Sequence, residues 1–336
     1  MPESRSPASP TPESAQADSG VTSSGAGGIP RRWTHHSLNS GLIFGLTVRG
    51  VGALPRAVSY GIGHVGTWLA WRLMAETNAA VAANLRAVMP DATDEALRRH
   101  ALQTYRSYAY DTIDFLHALS AGDRELLTTF DIRPEDRATF ESVLARGKGG
   151  LMVTGHYGCW EIGGLLMRVL NLPLTVVAMA ESDPEVNRLR RETRARMGVD
   201  TLEVRQSLET ALHIRRMLGQ NRLVAMLIDR HLGRDRVQVT HLGRPAYFLQ
   251  TPALLANLSG APLIPCFLER IGRGRFRTFA GTPVYVDPQL PRDAAIQQAT
   301  QRVADVIESR VRLYPHAWYH FYRYWDAQRG ILHGLD

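Results

Sequence analysis

From about residue 145 onward the chain alternates short apolar runs with segments of helical periodicity. GLMVTG (150–155), LTVVAMA (174–180), LVAMLID (223–229) and PLIPCFL (262–268) are the runs. They are apolar nearly throughout and lack a polar alternate face, the signature of strands covered on both sides. Between them lie Cys159–Leu170, Pro184–Met197, Ser207–Gly219 and Thr251–Leu258, each with helical spacing, and Asp293–Leu313 closes the series. Shorter strands fall near Val199–Val204 and Arg275–Phe279, and an Arg/Gly-rich loop follows 229. The alternation predicts an α/β domain over 131–336, a mostly parallel central sheet flanked by helices.

The preceding residues differ. Residues 1–30 are rich in Ser, Pro, Ala and Gly and lack aromatics, so they bury too little surface to offset ordering entropy and read as a disordered tail. Residues 31–130 read as a helical, membrane-associated region. Its apolar stretch, GLIFGLTVRGVGALPRAVSYGIGHVGTWLAWRLM (41–74), is cut by Arg49, Arg56 and Arg72, and the longest uncharged piece within it, Ala57–Trp71, is 15 residues, short for a span. Trp68 and Trp71 suit a membrane interface. The expectation is a helix lying on or dipping into the bilayer surface, with a buried helical hairpin as the alternative. A long helix follows over Asp94–Leu119, with Asp91 or Thr93 as its cap.

Net charge is +7, and Lys148 is the sole lysine. Arginine binds phosphate and carboxylate bidentately, so this charge fits anionic lipid, nucleic acid or an acidic protein. The arginine-rich segment around Arg188, Arg190, Arg191, Arg194 and Arg196 lacks interleaved aromatics for base stacking, so no nucleic acid partner is expected. It reads as a solvated face, or as a dock for an anionic membrane surface or an acidic carrier protein. Two cysteines, Cys159 and Cys266, exclude a disulfide framework. No metal site is expected, and no Gly-x-Gly-x-x-Gly follows a strand.

TGHYGCWEIGG (154–164) carries the chemistry. His156 follows the carboxyl end of a buried strand, where open α/β sheets bind ligands. Glu161 lies five residues on; one continuous helix would set the two about 140° apart. They meet only if His156 sits in the loop and Glu161 in the first helical turns, a bend Gly155 and Gly158 permit. A carboxylate on one ring nitrogen fixes the tautomer and leaves the other to take a proton from a hydroxyl. A structural histidine satisfied by a carbonyl is the alternative. Cys159, three residues after His156, opens another: a thiol hydrolase with Cys159 as nucleophile.

GHYGCWE resembles the signature of the bacterial lysophospholipid acyltransferase superfamily, and more closely its lipid A biosynthesis (lauroyl/myristoyl) acyltransferase branch, which includes phosphatidylinositol mannoside acyltransferases. Four more segments resemble that branch in order: NAAVAANL (78–85) with MPDAT (89–93), an Asn-Leu-x4-Pro stretch; MLIDRHLGRDRVQVTHLGRPAYF (226–248); LANLSGAPLIPCF (255–267); and YPHAWYHFYRYW (314–325). The resemblance spans about 40–325. It implies acyl transfer from a thioester donor, acyl carrier protein or coenzyme A, to a hydroxyl of a membrane lipid or glycolipid at the cytoplasmic face of the bacterial inner membrane. Attachment would be peripheral or through a single N-terminal anchor. His156 would be the general base and Glu161 its orienting partner, with no cofactor beyond the acyl-thioester co-substrate. Asp229, Arg230, Arg234, Arg244 and Tyr157 would bind substrate, with Asp229 placed at the same sheet edge as His156. A non-catalytic lipid-binding scaffold is a further alternative. The chain departs from the pattern in lacking a Pro-Glu-Gly-Thr phosphate motif, which argues against a simple glycerol-phosphate acceptor, and in carrying Ala317 before Trp318 where glutamine is frequent.

Overall fold

The computed structural model describes residues 50–52, 54–179, 184–204 and 208–330. The expected tail and residues 31–49 lie outside them. Helices α1 (Arg56–Leu73), α2 (Ala75–Val88) and α3 (Asp94–Ala118) come first, then α4 (Asp123–Thr129), β1 (Phe130–Asp131) and α5 (Pro134–Ala145). The alternating part follows: β2 (Gly150–Thr154), α6 (Gly163–Val169), β3 (Leu174–Met179), α7 (Pro184–Arg196), β4 (Asp200–Val204), α8 (Leu208–Gly219) and β5 (Leu223–Leu227). After it come β6 (Val237–His241), β7 (Arg244–Phe248), α9 (Thr251–Ser259), β8 (Leu263–Gly272), β9 (Arg275–Ala280), α10 (Arg292–Leu313) and α11 (Tyr324–Gly330).

Seven strands form one sheet in the order β1-β9-β8-β2-β5-β3-β4. Every neighbouring pair is parallel except β8 and β9, which form an antiparallel hairpin. The α/β expectation therefore holds. Alternate residues serve opposite faces, as a pleated strand requires. Leu151 and Val153 of β2 join Val224, Met226 and Phe267 in the core beneath α8, α9 and α10. Met152 joins Leu223, Ile264, Phe140 and Leu166 in the core beneath α5 and α6. Both faces are covered, which explains why the strands read as unbroken apolar runs.

The expected Arg/Gly-rich loop contains a second, two-stranded sheet, β6 paired with β7. Its two-residue turn is Leu242-Gly243, both at positive φ (53° and 71°). A leucine is poorly suited to that conformation, and the Leu242 N–H is taken by Glu308 Oε2 at 2.5 Å. A tertiary contact thus compensates for weak turn chemistry.

Thr93 caps α3 by accepting from the Ala96 N–H at 3.2 Å. The first three helices share a small core of Val81, Leu85, Leu97, Ala101 and Tyr105, with Trp71 packed edge-on to Tyr105. A buried ionic cluster ties them to the sheet. Arg270 of β8 binds Asp111 and Asp114 of α3, and Asp114 also accepts from Tyr60 of α1 at 2.5 Å. Removing one partner of such a cluster costs about 3–5 kcal/mol, because a charge is left buried and unmatched. The other side of α1 is open: Val58, Ile62, Val65, Leu69 and Leu73 recur every three or four residues and are all exposed. No helix among the described residues is long and apolar enough to cross a membrane.

Candidate active site

His156 sits in the turn that leaves β2. Its backbone carbonyl accepts from Tyr319 N–H at 2.7 Å, and the next residues are pinned by Gly158 N–H to Ala317 O and Cys159 N–H to Leu268 O. Two glycines make this possible. A Cβ on Gly155 would lie 2.9 Å from Asp229 Oδ2, and one on Gly158 (φ +62°) would lie 2.3 Å from Leu268 O. Gly155 lets a carboxylate approach the turn, and Gly158 lets the turn lie against β8.

That carboxylate is Asp229. Its Oδ1 lies 2.6 Å from His156 Nδ1, its Oδ2 accepts the His156 backbone N–H at 2.8 Å, and Oδ2 also meets His320 Nε2 at 3.0 Å. Asp229 is wholly buried. Burial alone would raise its carboxyl, but the two imidazoles and their hydrogen bonds outweigh that and hold it well below the usual carboxylate range. It is an ionised acceptor, so both rings present an N–H to it. Burial, together with the Arg230 guanidinium, pushes His156 below the ordinary imidazole value, against the pull of Asp229. The result is a neutral imidazole with Nδ1 protonated and Nε2 unprotonated.

This geometry corrects the expected His156–Glu161 pair. Glu161 sits in a short 3-10 turn, Trp160–Ile162, and its Oε1 pairs with Arg190 of α7 at 3.2 Å. The turn points Glu161 toward α7 and away from Nδ1, which Asp229 already occupies. Two more expectations change. Tyr157 is wholly buried, its hydroxyl donating to Glu269 at 3.1 Å, with Glu269 also bound by Arg310. It is a core residue behind the turn, because alternate residues leave a strand end on opposite sides. Arg244 lies on the β6–β7 hairpin with its guanidinium over the Trp325 ring, outside the cavity that His156 lines. Arg230 and Arg234 do line it.

The cavity has a volume of about 1310 Å³. Its partly exposed wall carries Trp160, Glu161, Arg190, Arg194, Arg230 and Arg234, an arginine-rich polar mouth. Deeper, the wall is the sheet face formed by Met152, Ala225 and Val176, covered by Leu166, Met167 and Leu170. Met152 and Val176 are the two lateral neighbours of Ala225 in the sheet. The small central side chain keeps that row open. The lining also takes in Gly63, Gly66 and Ala70 of α1 and Tyr108 of α3, and Val153, Val177, Met226 and Ile214 on the opposite sheet face.

Cys159 is buried with Sγ 3.5 Å from the Asp111 carbonyl, and burial raises its thiol well above the ordinary value. It has the setting of an inert core thiol, not of an activated nucleophile. One group among the described residues, His156, Asp229 and His320, has donor atoms within 4.8 Å of one another, close enough to share a metal ion. Both imidazoles give an N–H to the carboxylate, so a cation would have to displace a proton from each ring. Sequence reading did not single out His320. It lies in YPHAWYHFYRYW (314–325), a segment that resembles the family but in which no single residue stood out.

The chain matches the model of the bacterial lipid A biosynthesis acyltransferases over residues 29–327. It is 27% identical over 190 residues to a phosphatidylinositol mannoside acyltransferase of Mycolicibacterium smegmatis, covering 55% of this chain and 60% of that protein, under two thirds of its length. It is 25% identical over 249 residues to a phosphatidylinositol mannoside acyltransferase of Mycobacterium tuberculosis H37Rv, covering 73% of this chain and 75% of that one.

Proposed function

The chain belongs to the bacterial lipid A biosynthesis acyltransferase family, and from that premise we propose that it moves a fatty acyl chain from a thioester donor to a hydroxyl of a membrane glycolipid, with His156 as general base and Asp229 as its orienting partner. The observation that carries this reading is the placement of one ring. His156 lines the cavity while Nδ1 is committed to Asp229, so Nε2 is the nitrogen that meets a substrate hydroxyl. The hydroxyl gives its proton to Nε2 as its oxygen attacks the thioester carbon. The ionised Asp229 stabilises the imidazolium that forms. The tetrahedral oxyanion collapses, the C–S bond breaks, and the imidazolium returns its proton to the leaving thiolate. No acyl-enzyme is required.

The rest of the cavity divides along the same lines. The row of Met152, Ala225 and Val176 offers an apolar sleeve for the acyl chain. Arg190, Arg194, Arg230 and Arg234 at the mouth suit phosphate, on the donor, on the acceptor or on both. The similarity to phosphatidylinositol mannoside acyltransferases favours a mannosylated phosphoinositide as acceptor. The donor, acyl carrier protein or coenzyme A, follows from the same reading of the mouth. The exposed stripe of α1 would lie on the cytoplasmic face of the inner membrane, keeping the mouth beside its lipid substrate.

The test is direct. Purified protein in lipid nanodiscs is given radiolabelled acyl-coenzyme A or acyl carrier protein with a mannosylated phosphoinositide, and labelled lipid is resolved by chromatography. Labelled product is expected from the wild type and about 10²- to 10⁴-fold less from His156→Ala, the usual share of a general base. Equal turnover by the variant would reject the mechanism. Absence of label with either donor would reject the reaction. Flotation with phosphatidylinositol-containing vesicles tests the membrane face: Ile62→Glu with Val65→Glu should leave the protein at the bottom of the gradient.

A further inference from the structure

We propose that Asn84 and His320 are positioning residues of the catalytic base: Asn84 fixes the 320–324 turn so that His320 holds one oxygen of Asp229 and leaves the other to His156. The inference deepens the acyl-transfer reading and rests on it for the base's role.

Asn84 lies on α2, 236 residues from His320 in the chain, and is 4% exposed. Its Nδ2 donates to the carbonyls of His320 at 3.0 Å and Tyr322 at 2.7 Å. Its Oδ1 accepts from the Tyr324 N–H at 3.0 Å. Two carbonyls and one N–H fix the amide's orientation without ambiguity, since a flipped amide would face donor to donor and acceptor to acceptor. This one side chain therefore staples the turn that carries His320. It also gives a physical reason for the asparagine in the NAAVAANL segment, which the reaction itself leaves unexplained.

His320 is 1% exposed. Its Nε2 faces Asp229 Oδ2 at 3.0 Å, and its Nδ1 faces the Tyr322 hydroxyl at 2.9 Å. The tautomer follows from the partners. An ionised carboxylate only accepts, so Nε2 carries the proton, and Nδ1 then accepts from Tyr322. Burial keeps the ring neutral. The Tyr324 hydroxyl closes the arrangement by donating to the Asp229 carbonyl at 2.8 Å. With Oδ2 occupied from two sides, the carboxylate cannot rotate, and Oδ1 stays on His156 Nδ1. Without His320, a buried oxygen loses half its donors, and the carboxylate gains a rotation that swings Oδ1 off the base. Loss of the outer hydrogen-bond partners of metal-bound histidines costs about 10- to 100-fold in activity, and the same scale is expected for the partner that orients Asp229.

The experiment compares His320→Ala, His320→Gln and Asn84→Ala in the full chain. Gln places an amide N–H near the position of Nε2. For His320→Ala we expect kcat to fall about 10- to 100-fold with little change in KM, and for His320→Gln to recover most of that loss. Asn84→Ala should show the same split. A second readout needs no substrate: the low-field proton resonance of His156 Nδ1–H, identified by its loss in His156→Ala. It should persist in the wild type and His320→Gln and broaden away in His320→Ala and Asn84→Ala. A wild type that keeps the resonance but transfers no acyl chain defeats the functional reading and not this one. The resonance and kcat both surviving in His320→Ala, or Gln behaving like Ala, would overturn it. If His320→Ala does not fold, Asn84→Ala against His320→Gln carries the same comparison.

Discussion

The ring nitrogen Nδ1 of His156 lies 2.6 Å from Oδ1 of Asp229, and the backbone N–H of the same histidine reaches Oδ2 at 2.8 Å. One carboxylate thus fixes both the ring and the turn that bears it. The sheet explains how. Strands β2 and β5 are paired in parallel with Thr154 beside Leu227, and each functional residue lies two positions beyond its member of that pair. The parallel register delivers the imidazole and the carboxylate to one edge side by side.

The roles of the two acids separate cleanly. Asp229→Asn keeps the shape but loses the charge that stabilises the imidazolium, so kcat should fall by about 10²- to 10⁴-fold. Glu161→Gln breaks the 3.2 Å pair with Arg190 at the cavity mouth. That pair is half exposed, so the change should raise KM several-fold and leave kcat within about threefold, the mark of lost ground-state binding. Steady-state kinetics of both variants decide it: a larger kcat loss from Glu161→Gln would restore the glutamate as the base's partner.

In the proposed mechanism His156 works only when neutral, so activity should rise with pH through its pKa and level off above it. Burial and Arg230 push that pKa below 6.5, with Asp229 opposing, so the acid limb of kcat/KM should fall below pH 6.5. Arg230→Gln removes one lowering influence, and the limb should move toward alkaline pH. A midpoint at or above 6.5 in the wild type, or a limb unmoved by Arg230→Gln, would contradict the assignment.

The apolar runs predicted the sheet because burial on both faces leaves a continuous hydrophobic trace. His156 was legible for a related reason, since a histidine between glycines after such a run stands at a sheet edge. Its acid was not. His156 and Glu161 are close in sequence, whereas Asp229 reaches His156 only through the β2–β5 pairing, and parallel register leaves no local mark in the chain. Asp229 could be placed at the edge but not against the ring. Tyr157 and Arg244 were misassigned for lack of side-chain direction: a polar group near the site can face the core, as Tyr157 does toward Glu269. His320 and Asn84 were hidden because the groups they serve lie far away in the chain.

Cys159 offers a direct contrast with a thiol mechanism. Its thiol is buried and its ionisation suppressed by burial and by Asp111. Cys159→Ala should keep acyl transfer within about threefold, losing only packing, and iodoacetamide should leave the native enzyme active. Loss of activity on alkylation of the folded protein, prevented by Cys159→Ala, would revive the thiol hydrolase.

Acid should destabilise the fold through a second buried histidine. His241 is wholly buried against Phe248, Trp318 and Tyr324, and burial lowers its pKa to about 4. The unfolded chain protonates this group near pH 6.5. Between those values the unfolded state binds more protons, so the histidine's favourable contribution, complete above pH 6.5, is lost progressively as pH falls toward 4. The slope approaches about 1.4 kcal/mol per pH unit. Urea unfolding of the wild type and His241→Phe at pH 7.5 and 5.5 measures it: the variant should lose less stability across the interval, and an equal loss would show that His241 does not titrate on unfolding.

Acyl-chain length should answer to Ala225. Its row with Met152 and Val176 lies on the sheet face that lines the deep branch of the cavity. The next row down contains Leu223 and Leu174, paired side by side and buried, so Ala225 stands one row above a closed floor. Strand geometry sets the two rows about 6.6 Å apart. Ala225→Leu should raise the floor by roughly that distance and shift preference to donors several carbons shorter, with kcat/KM for long chains falling and that for short chains kept. The penalty for overpacking is about 1–3 kcal/mol in a filled core, but the added side chain enters open space here, so thermal stability should change little. A competition assay with a mixture of saturated acyl-coenzyme A or acyl carrier protein donors, read by mass spectrometry of the lipid product, gives the distribution directly. An unchanged distribution in a variant that folds normally would place the acyl chain elsewhere in the cavity, along α1 and α3 or on the opposite sheet face lined by Val153, Val177 and Met226.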